Sequence, residues 1–192
     1  MSVDPHHKAF LDDYVGRLHR VITVDADVCA QITATRAIWL ETRERGGRVT
    51  FIGNGGSAGI ASHLAIDLAK NAGVPATCFN DASAITCLAN DYGYEEWLAH
   101  AVRLNARPAD CLVAISVSGR SKNILNAVAK ARDMELKVVT LSGMTSDNPL
   151  RSLGDVNYWV DSRSYNIVET AHQFWMMAVI DLIIGRAEYP AS

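Results

Sequence analysis

Two short segments gather the side chains best able to do chemistry: Gly53-Asn54-Gly55-Gly56-Ser57-Ala58-Gly59 and Ser116-Val117-Ser118-Gly119-Arg120-Ser121. Each closes a β-rich run and opens a helical pattern. Glycines let a backbone turn tightly and come close to a ligand. Amides at a helix N-terminus, joined by the Ser57 hydroxyl, make a natural anion site. Taken alone, the first segment also reads as a tight strand-to-helix turn, and its Gly53-x-Gly55-x-x-Ala58 spacing fits the loose dinucleotide fingerprint, with Asp81 as the ribose acid. The second segment decides between these readings. Its three hydroxyls in six residues exceed the single serine that a helix cap requires. They suit a phosphomonoester, whose terminal oxygens each accept several hydrogen bonds. A dinucleotide needs no second hydroxyl-rich cradle, so the expectation is phosphate binding with no nucleotide cofactor.

The elements that position these turns follow from hydrophobic periodicity. Phe10, Leu11, Tyr14, Val15, Leu18, Val21 and Ile22 recur at helical spacing, a second amphipathic stretch runs from Val28 to Glu44, and Gly46-Gly47 stops it. Five strand candidates follow: Arg48–Gly53, Ala76–Asn80, Cys111–Ser116, Lys137–Ser142 and Val156–Asp161. Several are apolar on consecutive residues, which suits a parallel sheet covered on both faces. Helical patterns near 57–71, 94–105, 121–134 and 165–187 fill the gaps. Alternating strands and helices after a helical hairpin predict an α/β, doubly wound parallel sheet with its ligand sites at the carboxyl ends of the strands. At 192 residues the chain is read as one domain over 1–192, a helical pair over 1–46 and an α/β core over 47–192.

Composition narrows the function classes. A formal net charge of −3 offers no positive field for nucleic acid or an anionic membrane. Cys29, Cys78, Cys87 and Cys111 show no ligand spacing and read as free thiols in a reducing cytoplasm. The N-terminal MSVDPHHKAF has no apolar core, so no secretory leader is expected. The longest apolar run, Phe174 to Ile184, is broken by Asp181 and is too short to span a bilayer.

Gly53–Ser57 (GNGGS), Asn90-Asp91 within LANDYGY, and Ile115–Ser121 (ISVSGRS) together resemble the sugar isomerase (SIS) domain family, most closely its phosphoheptose isomerases. The resemblance covers nearly the whole chain. It implies a flavodoxin-like five-stranded parallel sheet, a homotetramer with active sites at subunit interfaces, and conversion of sedoheptulose 7-phosphate to glycero-manno-heptose 7-phosphate. By position, Ser57, Ser116, Ser118 and Ser121 correspond to phosphate or sugar contacts. Asn54, Gly55, Gly56, Asn90 and Asp91 correspond to further substrate contacts.

Aldose–ketose isomerisation needs a base to move a proton between C1 and C2 and a group to move protons among the oxygens. A metal can assist by polarising the carbonyl. The family pattern places a histidine and, four residues on, a glutamate after GNGGS. Here that spacing gives His63 and Asp67, on one helical face. A glutamine and, eight residues on, a histidine mark the family's last helix. Here those places hold Glu169 and Met177. Met177 cannot carry a proton at neutral pH and is a poor zinc ligand. His172, one turn beyond Glu169, is the expected substitute. The catalytic set implied is therefore His63, Asp67, Glu169 and His172, with His63, Asp67 and Glu169 as ligands of a weakly held zinc. The blander readings are a surface histidine, a solvated aspartate and an acid favoured by a helix dipole. A phosphosugar-binding module that lost its chemistry is the alternative function.

Overall fold

Why the strands are apolar on consecutive residues is plain in the computed structural model, which describes residues 4–189. The outermost three residues at each end of the 1–192 domain, including the start of the N-terminal stretch read as lacking a leader, lie outside that range. Strands Val49–Ile52 (β1), Ala76–Cys78 (β2), Cys111–Ser116 (β3), Lys137–Ser142 (β4) and Val156–Trp159 (β5) form one parallel sheet ordered β2-β1-β3-β4-β5. Successive side chains point to opposite faces, and both faces are covered. Phe51, Val113, Ile115 and Leu141 enter one apolar core, while Ile52, Leu112, Ala114 and Val138 enter the other.

Helices Ala26–Glu44 (α2), Gly56–Ala72 (α3) and Tyr165–Ile184 (α7) supply the first core through Trp39, Leu64 and Trp175. Helices Trp97–Asn105 (α5) and Lys122–Asp133 (α6) supply the second through Leu98, Val102 and Ile124. The apolar helix α7 is long enough to cross a membrane by composition, but Val168, Ala171, Met176 and Val179 are packed into the first core. By contrast Pro5–Ile22 (α1) buries no residue and leaves Phe10, Leu11 and Val15 exposed.

The structure departs from the sequence-based elements in detail. The strands β1, β2 and β5 are shorter than expected, and a helix over Ala82–Tyr92 (α4) fills a gap that periodicity left blank. No residue of α4 is fully buried; its apolar stripe is short, Ile85, Leu88 and Ala89, and only partly buried against the second core. A 3₁₀ turn at Pro149–Ser152 also went unread.

The sheet order places β2 and β3 on either side of β1. The first crossover leaves in one direction and the next returns in the other. The crevice at the carboxyl ends of β1 and β3 is thus the switch point where doubly wound sheets bind ligands.

Candidate active site

The two serine-bearing turns meet at that crevice. After β1, the chain must bend sharply into α3: a Cβ on Gly53 would lie 2.6 Å from the Ser57 carbonyl, and Gly55 holds a φ of 55°. These two glycines bring Ser57, only 3% exposed, to the start of the helix. After β3, Gly119 turns at a φ of 62° and packs against the Asn148 side chain, which carries the chain into α6. Ser116 Oγ and Ser121 Oγ lie 3.3 Å apart, and Ser118 Oγ accepts the Arg120 N–H at 3.2 Å.

Between the turns lies a cleft of about 130 Å³, walled by Asn54 and Ser57 on one side and by Ser116, Ser118 and Ser121 on the other. Tyr165 and Glu169, from the first turns of α7, close it. The Glu169 carboxylate sits over the start of α3, where a Cβ on Gly56 would come within 2.5 Å of both its oxygens. An acid is electrostatically favoured there by the helix dipole. The Arg120 guanidinium reaches across the surface to Asp147 at 2.8 Å; hydrogen bonds from Thr145 and Arg120, with the Arg120 charge, hold that carboxyl below the usual range.

Helix caps separate this region from the rest of the molecule. The helices α1, α2 and α4 are capped by Asp4, Asp25 and Asp81, and the 3₁₀ turn by Asn148, each accepting a backbone N–H. The three helices that begin at the cleft, α3, α6 and α7, have no side-chain cap at Gly55, Ser121 or Ser164. Helix α5 also lacks one, but it begins on a continuing turn with Glu96 in helical geometry. Helix starts normally need partners for their first amides. At the cleft the Ala58 amide has backbone carbonyls and the Ile124 amide has the Ser121 carbonyl and Asn123 Oδ1, so the amides ahead of these are the ones left for an anion. Asp81, the candidate ribose acid of the dinucleotide alternative, is instead the α4 cap, accepting the Ala84 N–H at 2.9 Å.

The other expected residues are distributed differently. His63 and Asp67 lie on the α3 flank rather than in the cleft wall, with His63 Nε2 and Asp67 Oδ2 3.2 Å apart. Gln173 Nε2 lies 3.2 Å from His63 Nδ1, so the neutral imidazole carries its proton on Nε2, facing Asp67. Glu169 is not gathered with this pair, and among the described residues no three His, Cys, Asp or Glu side chains converge on a metal-sized point. With the Met177 thioether 4.0 Å from Gln173 Nε2, the donor set of one chain does not fit zinc.

Two further placements bear on the sequence reading. His172 is fully buried, its Nε2–H donating to the Ser142 carbonyl at 3.0 Å while Nδ1 has no partner. Burial pushes its pKa down to about 4, so it is a neutral core histidine with no path to the cleft. The spacing argument put it on the Glu169 face, but tertiary packing covers that side of α7. Asn90 and Asp91 are exposed on α4, where Asn90 Nδ2 donates to Asp91 Oδ1 at 3.0 Å, and do not line the cleft of their own chain.

Sequence reasoning missed three polar contributors: Tyr165, Tyr94 and Asn123. Asn123 is buried and pairs reciprocally with Asn54, while the Tyr94 hydroxyl donates to Asn54 Oδ1 at 3.1 Å. The only local sign of Asn123 was an amide two residues past the Ser121 cap.

Comparison with known proteins converges on one family. The SIS domain profile matches residues 9–143. A phosphoheptose isomerase of Helicobacter pylori is 37% identical over 150 residues, covering 75% of this chain and 78% of that protein. A phosphoheptose isomerase of Aliarcobacter butzleri is 29% identical over 181 residues, covering 91% and 95%. The solved structure of a phosphoheptose isomerase from Neisseria gonorrhoeae superposes with a TM-score of 0.81 at 26% identity, over 93% of this chain and 97% of that one.

Proposed function

Since the chain belongs to the SIS domain family, we propose that it is a sugar-phosphate aldose–ketose isomerase that converts sedoheptulose 7-phosphate to glycero-manno-heptose 7-phosphate. One observation carries this reading beyond simple phosphate binding. A carboxylate, Glu169, is held inside the same cleft that presents Ser57, Ser116, Ser118 and Ser121. Phosphate alone would find a carboxylate repulsive. A substrate with a phosphate at one end and an acidic C–H at the other needs both groups.

The phosphate is held by the serine hydroxyls and the uncapped amides of α6, which meet its charge with preoriented dipoles. This anchoring fixes the chain of carbons with its carbonyl end near Glu169. The carboxylate removes a proton from C1 of the ketose, electrons move to the C2 oxygen, and that oxygen takes up a proton to give the enediol; the C1 hydroxyl then releases its proton as C2 takes one from the Glu169 carboxyl, which leaves the C1 aldehyde. Positive helix ends at α3 and α7 stabilise the developing oxyanion. Among the described residues one chain assembles no zinc site, and the proton transfers use the chain's own groups.

A cleft of about 130 Å³ is small beside the roughly 300–1,000 Å³ of most ligand pockets. The remainder of the site comes from a neighbouring subunit in a homotetramer. Exposed Phe10, Leu11 and Val15 on α1, Ile66 on α3 and Phe174 on α7 give that assembly its apolar surface. The exposed Asn90 and Asp91, and the His63–Asp67 pair with its 48% and 27% exposed side chains, are the groups this reading offers to a neighbour's substrate. Free thiols at Cys29, Cys78, Cys87 and Cys111 suit a cytoplasmic enzyme. Formation of aldoheptose 7-phosphate from sedoheptulose 7-phosphate, followed by NMR at micromolar protein, tests the activity. Binding without turnover would favour the phosphosugar-binding module instead.

A further inference from the structure

We infer that Asn123 is a positioning residue: it locks the Asn54 side chain so that one amide hydrogen of Asn54 is presented to the sugar rather than to the protein. The inference rests on the isomerase reading for the identity of the ligand. Its physical basis is a chain of forced hydrogen-bond choices. The Ile124 backbone N–H can only donate; it is shared between the Ser121 carbonyl at 3.1 Å and Asn123 Oδ1 at 3.0 Å, and an amide nitrogen facing it would be repelled, which fixes which end of the Asn123 amide is oxygen. That oxygen also accepts from Asn54 Nδ2 at 2.9 Å. Asn123 Nδ2 therefore donates back to Asn54 Oδ1, also at 2.9 Å. The Asn54 oxygen accepts a second bond from the Tyr94 hydroxyl at 3.1 Å. Both lone pairs of Asn54 Oδ1 are thus filled, and one of its two amide hydrogens is used.

The remaining hydrogen of Asn54 has no partner among the described residues, and Asn54 lines the cleft beside Ser57 and Glu169. An amide that could turn over would show the ligand an oxygen half of the time. Turning Asn54 alone breaks both bonds of the pair, and turning the two amides together sets Asn123 Nδ2 against the Ile124 N–H. Asn123 itself is 3% exposed and does not line the cleft, so it acts only through Asn54. The donor suits a substrate oxygen that is gaining negative charge or already carries lone pairs, such as a sugar hydroxyl or carbonyl. Inorganic phosphate, seated among the serines, should not sense it.

A double-mutant cycle on the intact protein tests this. Affinities for sedoheptulose 7-phosphate and for inorganic phosphate are measured by titration calorimetry in wild type, Asn54→Ala, Asn123→Ala and the double variant. Either single change should weaken sugar-phosphate binding about tenfold, and the double change should weaken it no further. Inorganic phosphate should bind equally to all four. Asn123→Asp guards against a folding defect. It keeps the acceptor for Ile124 but faces Asn54 Oδ1 with oxygen, so one bond of the pair is lost whichever way Asn54 lies, its orientation is no longer fixed, and the same loss should appear with the melting temperature retained. Losses that multiply in the double variant, or an Asn123→Asp protein with wild-type affinity, would overturn the inference. Wild type that binds the sugar phosphate without turning it over removes the isomerase reading but leaves the cycle decisive. Wild type that does not bind it overturns both.

Discussion

At the carboxyl ends of β1 and β3, three helices begin without side-chain caps, whereas on the flank where α3 meets α7 the polar groups already have one another. There His63 sits between Asp67 and Gln173, Asp67 also takes the Asn71 amide at 3.4 Å, and Gln173 leans on Met177. Both regions hold residue types that do chemistry. The difference is in what remains unspent. Unmatched amides and hydroxyls at a helix start cost free energy until an anion arrives, which is the mark of a ligand site. A satisfied imidazole–carboxylate–amide row costs nothing in the free chain and has no such claim on a ligand. It gains a role only if a second subunit brings substrate to it.

The sharpest break between the two regions should come from Glu169→Gln. Losing the only carboxylate among the cleft-lining residues should lower kcat by about 10²–10⁴, the usual worth of a general base, with little change in phosphate affinity. His63→Ala, on the flank, should cost kcat only about tenfold, because its task is limited to moving protons among oxygens. Equal losses in steady-state assays of the two variants would erase the distinction. Next in size, Ser57→Ala or Ser118→Ala should weaken sugar-phosphate binding by about 1.5–3 kcal/mol, one hydrogen bond to a charged acceptor each. Calorimetry showing unchanged affinity in both would remove the phosphate from the cleft.

A subtler comparison sets His172 against His63, two histidines that looked equivalent in the sequence. The His172 pKa is depressed to about 4 by burial, against an ordinary value of 6.5. Between those two values the unfolded chain holds a proton that the folded chain refuses, so stability falls as pH drops through that window. Between pH 7 and pH 5 the loss should be on the order of 2 kcal/mol. Urea melts of wild type and His172→Gln at both pH values read it directly. The variant should lack that part of the acid sensitivity, and a variant as acid-sensitive as wild type would contradict the buried assignment. The smallest expected effect is that of Gly56→Ala. The added methyl pushes a flexible carboxylate rather than backbone. The fold should therefore persist while kcat falls about tenfold, through displacement of Glu169.

What the sequence could reveal was what is local. The glycine turn at Gly53–Gly59 and the hydroxyl turn at Ser116–Ser121 carry their chemistry in consecutive residues, and the structure unites them because β1 and β3 are neighbours. Runs of consecutive apolar residues announced the buried parallel strands for the same reason. Asn123 was invisible because its partner, Asn54, is 69 positions away. His172 was misplaced because helical spacing fixes a face but not what packs on it; Ile167, Val168, Ala171 and Trp175 are buried with it on α7, where α3, α2 and β4 pack. Asp81 showed its acid but not its task, since a capping aspartate and a ribose-binding one look alike until the next helix is seen.

The most direct test follows the proton itself. Wild-type protein is incubated with sedoheptulose 7-phosphate in D₂O, and the product is examined by NMR. Proton abstraction at C1 by an exchangeable base in the cleft should place deuterium on C2 of the aldoheptose 7-phosphate, and Glu169→Gln should bind the same substrate without forming that product. Undiminished turnover by Glu169→Gln would contradict the assignment of Glu169 as the base.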